Sequence, residues 1–103
     1  MDMTGFFWWG TPPVPVAYEE ITIDAVGETL TQANVNICHF VEVKFENGPM
    51  RIRMDGTAPT PSVGIPVYDL DKLYFNVPSA KLLQMIRNGT TNGIAHCTYW
   101  TIK

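Results

Sequence analysis

The sequence predicts an all-β fold: a small β-sandwich of jelly-roll type with an extended N-terminal arm. Eight prolines and eight glycines stand among its 103 residues, which disfavours long helices. Turn signals recur at short intervals, and the segments between them alternate apolar and polar residues as half-buried strands do. A chain of this length forms one domain with a single modest core.

Residues 1–16 are predicted to form an arm rather than a core strand. Four consecutive aromatic residues are followed by TPPVP, where prolines remove amide donors and favour an extended backbone. Rings of this size bury roughly 150 to 250 Å² each, so they need a cover. Either the chain's own sandwich or a neighbouring subunit provides it. Residues 17–103 then form the single β-sandwich domain.

The first two strands are predicted from the alternation of apolar and polar residues along the chain. Residues 18–26 alternate partially and end at Gly27, which predicts one strand, while residues 29–36 are polar and rich in turn formers. From residue 37 the alternation is clear, so a second strand buries one face. The residues predicted to share that face are Ile37, Val41, Val43 and Phe45.

Residues 50–54 form the next predicted strand, with Met50 and Ile52 on its apolar face. Asn47-Gly48 separates it from the preceding strand. A symmetrical hairpin about this pair places Phe45 opposite Met50 and all apolar side chains on one side. Because a proline at position 49 cannot donate the turn-closing hydrogen bond, we expect a four-residue connection.

The remaining elements are also short. Residues 65–77 are interpreted as one bent or interrupted strand pair, and Ser79 as the cap of a single helical turn that ends at Leu83. Residues 84–87 extend again, residues 88–93 form a turn, and residues 94–103 close the fold as a strand rich in aromatic and β-branched types.

The segment RIRMDGTAPTPSVGI, residues 51–65, is the most distinctive part of the chain. The Asp55 side chain can bond its own backbone beside Gly56, which is free to take positive φ. Pro59 and Pro61 then stiffen the second half of the segment. We expect a loop of fixed shape.

That loop, DGTAPTPSVG between two strands, resembles small all-β virion structural proteins of tailed bacteriophages. The resemblance extends from about residue 41 to residue 100 through VEVKF, RIRMDGTAPTPSVGIPV, SAKLLQMIR and IAHCTYW, and leaves out the first forty residues. It implies the all-β fold and a place in the virion, for a protein made in the host cytoplasm.

Charge and targeting signals exclude two partner classes. Ten acidic and seven basic residues give a net charge of -3, so no positive field exists to hold nucleic acid phosphates. The N-terminus lacks a basic region, and the aromatic run FFWW is too short for a signal peptide or a membrane span. We expect neither nucleic acid nor membrane as a partner.

The two cysteines and two histidines occur as mirror-image dipeptides, Cys38-His39 and His96-Cys97. If their strands are antiparallel neighbours, one register places the cysteines opposite each other on one face and the histidines on the other. Neighbouring residues of a strand point to opposite faces, so a four-ligand zinc site is not expected. A cross-strand disulfide is geometrically possible, although buried free thiols are commoner in reducing cytoplasm.

Catalytic motifs are missing from the sequence. No motif brackets a nucleophile, and the NGTTNG turn carries no lysine for a phosphate loop. Asp69 and Asp71 can face calcium from one strand, but the dense oxygen spacing of a calcium loop is absent. We therefore expect no enzymatic activity, no cofactor and no metal.

The sequence thus favours a non-enzymatic cement or decoration protein on the capsid exterior, which binds major capsid subunits and itself as a dimer or trimer. A glycan-binding module that stacks sugars on Trp8, Trp9, Tyr74 or Trp100 is the alternative, as is a neck or tail-completion protein. The predicted partner-binding residues are Phe6, Phe7, Trp8, Trp9, Pro12, Pro13, Thr57, Pro59, Thr60, Pro61, Ser62 and Val63.

Overall fold

The computed structural model describes residues 12–102 and confirms an all-β sandwich. In that range the strands are β1 (Val14–Ile23), β2 (Glu28–Thr29), β3 (Phe40–Glu46), β4 (Met50–Arg53), β5 (Ile65–Val67), β6 (Lys72–Asn76), β7 (Gln84–Arg87) and β8 (Gly93–Thr101). Sheet A has the order β1-β8-β3-β6 and sheet B the order β2-β7-β4-β5. All neighbours pair antiparallel. Two short helices, α1 (Gln32–Val35) and α2 (Val77–Leu82), join strands of different sheets.

The core lies between the two sheets. Alternation along β3 buries Val41, Val43 and Phe45 completely, as predicted. Ile37 does not join them: it is 58% exposed, because it lies before β3 in the connection from α1. The other fully buried large side chains include Ile23, Leu30, Val35, Met50, Ile52, Leu83, Met85 and Tyr99.

Strand β1 begins inside the predicted arm. It starts at Val14, paired with Thr101, and ends at Ile23, three residues before the predicted end. The register shifts between Pro15 and Ala17, and β1 is an edge strand, where a proline is tolerated. Residues 14–16 therefore belong to sheet A rather than to the arm.

The predicted hairpin between β3 and β4 is wrong. The two strands lie in different sheets, so Phe45 does not pair with Met50. The backbone of Phe45 instead bonds residues 70 and 71, with its N–H donated to the Asp71 carbonyl at 2.8 Å, while Met50 pairs with Val67 and Arg87. Both strands still bury their apolar faces, because facing sheets satisfy the same alternation as one sheet does.

The segment 65–77 is interrupted by a change of sheet. Strand β5 lies in sheet B and β6 in sheet A, and a tight turn joins them. In that turn the Asp71 carboxylate accepts from the Tyr68 N–H at 2.9 Å, the Asp69 carboxylate accepts from the Asn47 N–H at 2.9 Å, and Leu70 has a φ of 68°. The two aspartates therefore hold the turn.

The helical turn after β6 is present, but its cap is Asn76. The Asn76 side chain accepts from the Ser79 N–H at 2.9 Å, so Ser79 is inside helix α2. Asparagine precedes Val77-Pro78 and suits the cap, since proline is favoured in the first helical turn. No helix within residues 12–102 has the length and apolar character needed to cross a membrane.

Candidate partner-binding surface

The loop between β4 and β5 has the geometry that its sequence predicts. Gly56 has a φ of 84°, and the Asp55 carboxylate accepts from the Thr57 N–H at 3.2 Å. The same carboxylate forms an ion pair with Arg53. The hydrogen bond from Arg53 is the main reason why the pKa of Asp55 is lowered. The first half of the loop is thus fixed by side-chain bonds to its own backbone.

The second half is fixed by Thr60. Its hydroxyl accepts from the N–H groups of Ser62 at 3.3 Å and Val63 at 3.0 Å, and its main chain exchanges two hydrogen bonds with Val63. Gly64 then returns the chain to the sheet with a φ of 141°. The Arg51 side chain donates to the Gly64 carbonyl at 3.0 Å and ties the end of the loop to β4.

The predicted partner-binding residues divide into exposed and buried groups. Pro59 and Pro13 are buried and anchor the backbone rather than present a surface. Those that the structure exposes are Pro12, Thr57, Thr60, Pro61, Ser62 and Val63. The aromatic residues Phe6, Phe7, Trp8 and Trp9 lie outside the described residues.

Next to this loop runs an apolar groove, here called the edge groove, between the outer strands β5 and β6. It consists of two adjoining hollows of about 330 and 360 Å³ that share Met54 and Ile65. Arg53 and Asp55 lie at one end and Asn76 and Ser79 at the other. Its apolar walls are formed by Ile52, Met54, Ile65, Leu73 and Phe75.

Sequence reasoning missed the edge groove because it placed β3 and β4 in one sheet. Ile65 pairs with Ile52 and so faces the core side of sheet B, yet it is 49% exposed, because β5 is the outer strand of sheet B among residues 12–102. Pro66 at the centre of β5 was the available signal, since proline within a strand indicates an edge.

The outer face of sheet A carries a strip of aromatic rings. Phe40 and Trp100 stack with ring centroids 6.2 Å apart and planes 9° apart, and Tyr74 lies tilted against Phe40. The Trp100 indole donates to Glu42 at 3.1 Å, and Glu42 also pairs with Lys72 at 3.2 Å. Trp100 is half-buried. The strip is therefore tied into the sheet by hydrogen bonds and an ion pair.

Both histidines are hydrogen-bonded on sheet A. His96 lies between Glu20 and Glu46: its Nε2 is hydrogen-bonded to Glu46, while its Nδ1 is 2.8 Å from the Tyr18 hydroxyl and 3.2 Å from the Glu20 carboxylate. His39 Nδ1 is 2.9 Å from the Thr101 hydroxyl. The two acids approach opposite sides of the His96 ring, so the three groups do not converge on a point.

The cysteines are buried free thiols. The predicted register is wrong, because Cys97 pairs with Val43 and Cys38 lies before β3. Burial raises the pKa of Cys97 to about 12, and the nearby Glu19 carboxylate adds to the shift. A thiol with such a pKa is unreactive near neutral pH.

Glu19 points inward from β1 and joins the sheet to the α1 segment. Its carboxylate accepts hydrogen bonds from the Tyr99 hydroxyl, from Thr31 Oγ1 at 2.7 Å and from Asn34 Nδ2 at 3.1 Å. Partial burial raises the pKa of Glu19, but these three bonds outweigh it and lower the pKa overall. The hydrogen bonds of Glu19 thus account for this half-buried carboxylate as a structural group.

No protein-family model, curated protein or solved structure matches this chain. Within residues 12–102, no group of three or more His, Cys, Asp and Glu side chains is arranged to hold a metal ion. The loop and the edge groove together form the candidate partner-binding surface.

Proposed function

We propose that this chain is a non-enzymatic structural protein of a tailed-phage particle, a cement or decoration protein on the capsid exterior. The loop that carries the sequence resemblance is also the loop that is fixed in shape and presented to solvent. This coincidence is the observation on which the proposal depends. A loop that is ordered before binding loses little conformational entropy on contact with a major capsid subunit.

The strand order supports a fold of jelly-roll type, which is used in viral capsids among other places. Strands pair as β1 with β8, β2 with β7, β3 with β6 and β4 with β5. In sequence, each pair lies between the two strands of the pair before it, as if one long hairpin had been rolled up into two facing sheets. Fold alone does not decide function, so the proposal depends on the surface.

The exposed apolar side chains beside the loop give the surface its affinity. Val63 is 50% exposed, Ile65 49%, Tyr68 59% and Leu70 63%, and all four lie on or next to β5. Exposed apolar side chains along an outer strand that starts at a rigid polar loop are typical of a protein-binding surface. The surface suits a subunit contact of modest area rather than a small ligand.

Binding to particles tests this proposal. The variant Val63→Asp should sediment with particles that lack the native protein at least roughly tenfold less well, because a charge would be buried in the contact. Val26→Asp is the matched control: Val26 is 89% exposed at the β1–β2 turn, distant from the loop. Equal attachment of both variants would remove the loop from the interface.

The arm adds a second test. A chain without residues 1–10 should remain folded, because the described strands begin at Val14, and should no longer attach to particles. Undiminished attachment of this truncated chain would exclude the arm from the proposal. Attachment only at the neck or tail, seen by electron microscopy, would favour the tail-completion role instead.

A glycan-binding role ranks second. It requires a ring platform open to sugars, whereas Trp100 is half-buried and its indole N–H is already bonded to Glu42. Binding of the chain to surface polysaccharide that is lost in Trp100→Ala would favour this role over the first.

A further inference from the structure

The turn between β7 and β8, residues 88–93 with the sequence NGTTNG, contains two of the three Asn-Gly dipeptides of the chain. The third is Asn47-Gly48, between β3 and β4. Asparagine is chemically labile before glycine, because the backbone nitrogen of a residue without a Cβ approaches the side-chain amide with little hindrance. The three dipeptides are identical, so their surroundings in the structure decide which of them reacts.

We propose that Asn88 is a site of deamidation in the folded protein. In this reaction the Gly89 nitrogen attacks the side-chain carbonyl carbon of Asn88. A new C–N bond closes a succinimide ring, and the side-chain nitrogen leaves as ammonia with the proton from Gly89. Water then opens the ring at either carbonyl and gives aspartate or isoaspartate. Water is the co-reactant, and no oxidation or reduction takes place.

The peptide between Asn88 and Gly89 has the freedom that ring closure requires. Gly89 is exposed, and a Cβ built on it meets no atom within 4 Å. Within residues 12–102, no hydrogen bond holds the Gly89 N–H or the Asn88 side chain. The Asn88 N–H donates to the Pro49 carbonyl at 3.0 Å, but that bond lies on the other side of the Asn88 Cα from the reacting atoms. Rotation of this peptide therefore leaves β7 in place.

Asn92-Gly93, at the other end of the same turn, is held by its surroundings. Gly93 is buried and begins β8, where it pairs with Ile23. A Cβ built on Gly93 lies 2.4 Å from Met50 Sδ, so this part of the backbone packs closely against the core. The Asn92 side-chain oxygen accepts from the Arg87 guanidinium at 2.6 Å. Attack by the Gly93 nitrogen thus requires the start of β8 to open.

Asn47-Gly48 is held by the turn that joins β5 and β6. The Asn47 N–H donates to the Asp69 carboxylate at 2.9 Å. A Cβ built on Gly48 lies 2.9 Å from the Asp69 nitrogen and 3.0 Å from the Tyr68 carbonyl carbon, so this glycine packs directly on backbone. Ring closure at Asn47 requires that packing to open. Because local opening costs free energy and the rate falls exponentially with that cost, Asn88 should react roughly tenfold or more faster than the other two.

The modification changes the charge and the backbone of the turn. It adds one negative charge to a chain whose net charge is -3, and isoaspartate lengthens the backbone by a methylene group. The turn lies beside Pro49, just before β4, whereas the loop at residues 57–63 follows the end of β4. The inference therefore does not depend on the phage assignment.

Incubation of the folded full-length chain in mildly alkaline buffer tests the proposal, with peptide mass spectrometry as the readout. Fragment spectra assign each exchange of amide for acid to one residue. We expect conversion at Asn88 to be roughly tenfold or more faster than at Asn47 and Asn92. In guanidinium chloride, where the fold no longer holds any of the three, their rates should converge.

Gly89→Ala and Thr90→Ala are the matched variants. The new Cβ of Gly89→Ala hinders the attacking nitrogen but meets nothing in the fold, so conversion at Asn88 should slow roughly tenfold, or about 1.4 kcal/mol in the barrier. Thr90→Ala keeps the dipeptide and should convert as the wild type does. Circular dichroism confirms that both variants fold.

Three results would overturn the proposal. The first is conversion at Asn47 or Asn92 that is as fast as at Asn88 in the folded chain. The second is an Asn88 that stays intact in the folded chain while the unfolded chain converts. The third is a Gly89→Ala variant in which Asn88 converts as fast as in the wild type.

Discussion

Replacement of Gly64 by alanine probes the fixed loop most sharply. Gly64 has a φ of 141°, and a Cβ built there lies 3.1 Å from the Ile52 carbonyl oxygen and 3.2 Å from the Cβ atoms of Arg51 and Pro59. The positive φ costs about 1–3 kcal/mol for a residue with a side chain. The crowding adds about 1 kcal/mol or more, because two of the three contacts involve backbone or a rigid ring.

We therefore expect Gly64→Ala to lower the free energy of unfolding by about 2–4 kcal/mol. For a domain of about 100 residues, each kcal/mol shifts Tm by about 4–8 °C, which gives a decrease of roughly 8–32 °C. Thermal unfolding followed by circular dichroism, with urea unfolding for the free energy, measures both quantities. The particle-binding assay then shows whether the misplaced loop also loses its partner.

Substitutions at two other glycines distinguish the cost of a positive φ from the cost of steric crowding around a new Cβ. A Cβ at Gly56 meets nothing within 4 Å but has a φ of 84°, so Gly56→Ala should cost only about 1–2 kcal/mol. A Cβ at Gly89 meets nothing and its φ is not positive, so Gly89→Ala should change stability by less than about 0.5 kcal/mol. If Gly64→Ala is no more destabilising than Gly56→Ala, the close packing of the loop against β4 is refuted.

Three further predictions concern the core. Glu19→Gln should cost about 1–2 kcal/mol at neutral pH. Because the pKa of Glu19 is lowered in the folded protein, its contribution to the free energy of unfolding is present above the unfolded pKa and is lost as pH falls through the folded pKa. Urea titrations should therefore show the stabilities of the variant and the wild type converging in acid. A difference that stays constant with pH would contradict this. Gly93→Ala should lower the free energy of unfolding by about 1–3 kcal/mol, because the new Cβ would lie 2.4 Å from Met50 Sδ. In a double-mutant cycle, Met50→Val should relieve part of that cost. Strictly additive effects of the two substitutions would count against the contact. Cys97, with a pKa of about 12, should resist alkylation at pH 8 until the chain unfolds, and rapid labelling of the native protein would show that it is not buried.

Local features were predictable from the sequence because they depend on short-range chemistry. The turn at Asp55-Gly56, the inward face of β3 and the helical turn after β6 each follow from residues within a few positions of one another. The exposed part of the candidate site, residues 57–63 without Pro59, was predictable for the same reason, because it too is set by short-range chemistry.

Long-range pairing was not predictable in the same way. The alternation of β3 and β4 is satisfied equally by one sheet or by two facing sheets, so the sequence left the hairpin and the sandwich corner equivalent. What separates them is the backbone of Phe45, which bonds residues 70 and 71. The edge groove depends on that choice, and so it appears only in three dimensions.

Our proposal is that the loop at residues 57–63 and the adjoining edge groove form a binding surface of a phage particle. Electron cryomicroscopy of particles that carry this chain would reveal that surface in place. We predict density for the sandwich on the outside of the shell, with the loop and the adjoining groove against a major capsid subunit. A sandwich that contacts the shell through another face, or particles that carry none, would contradict the proposal.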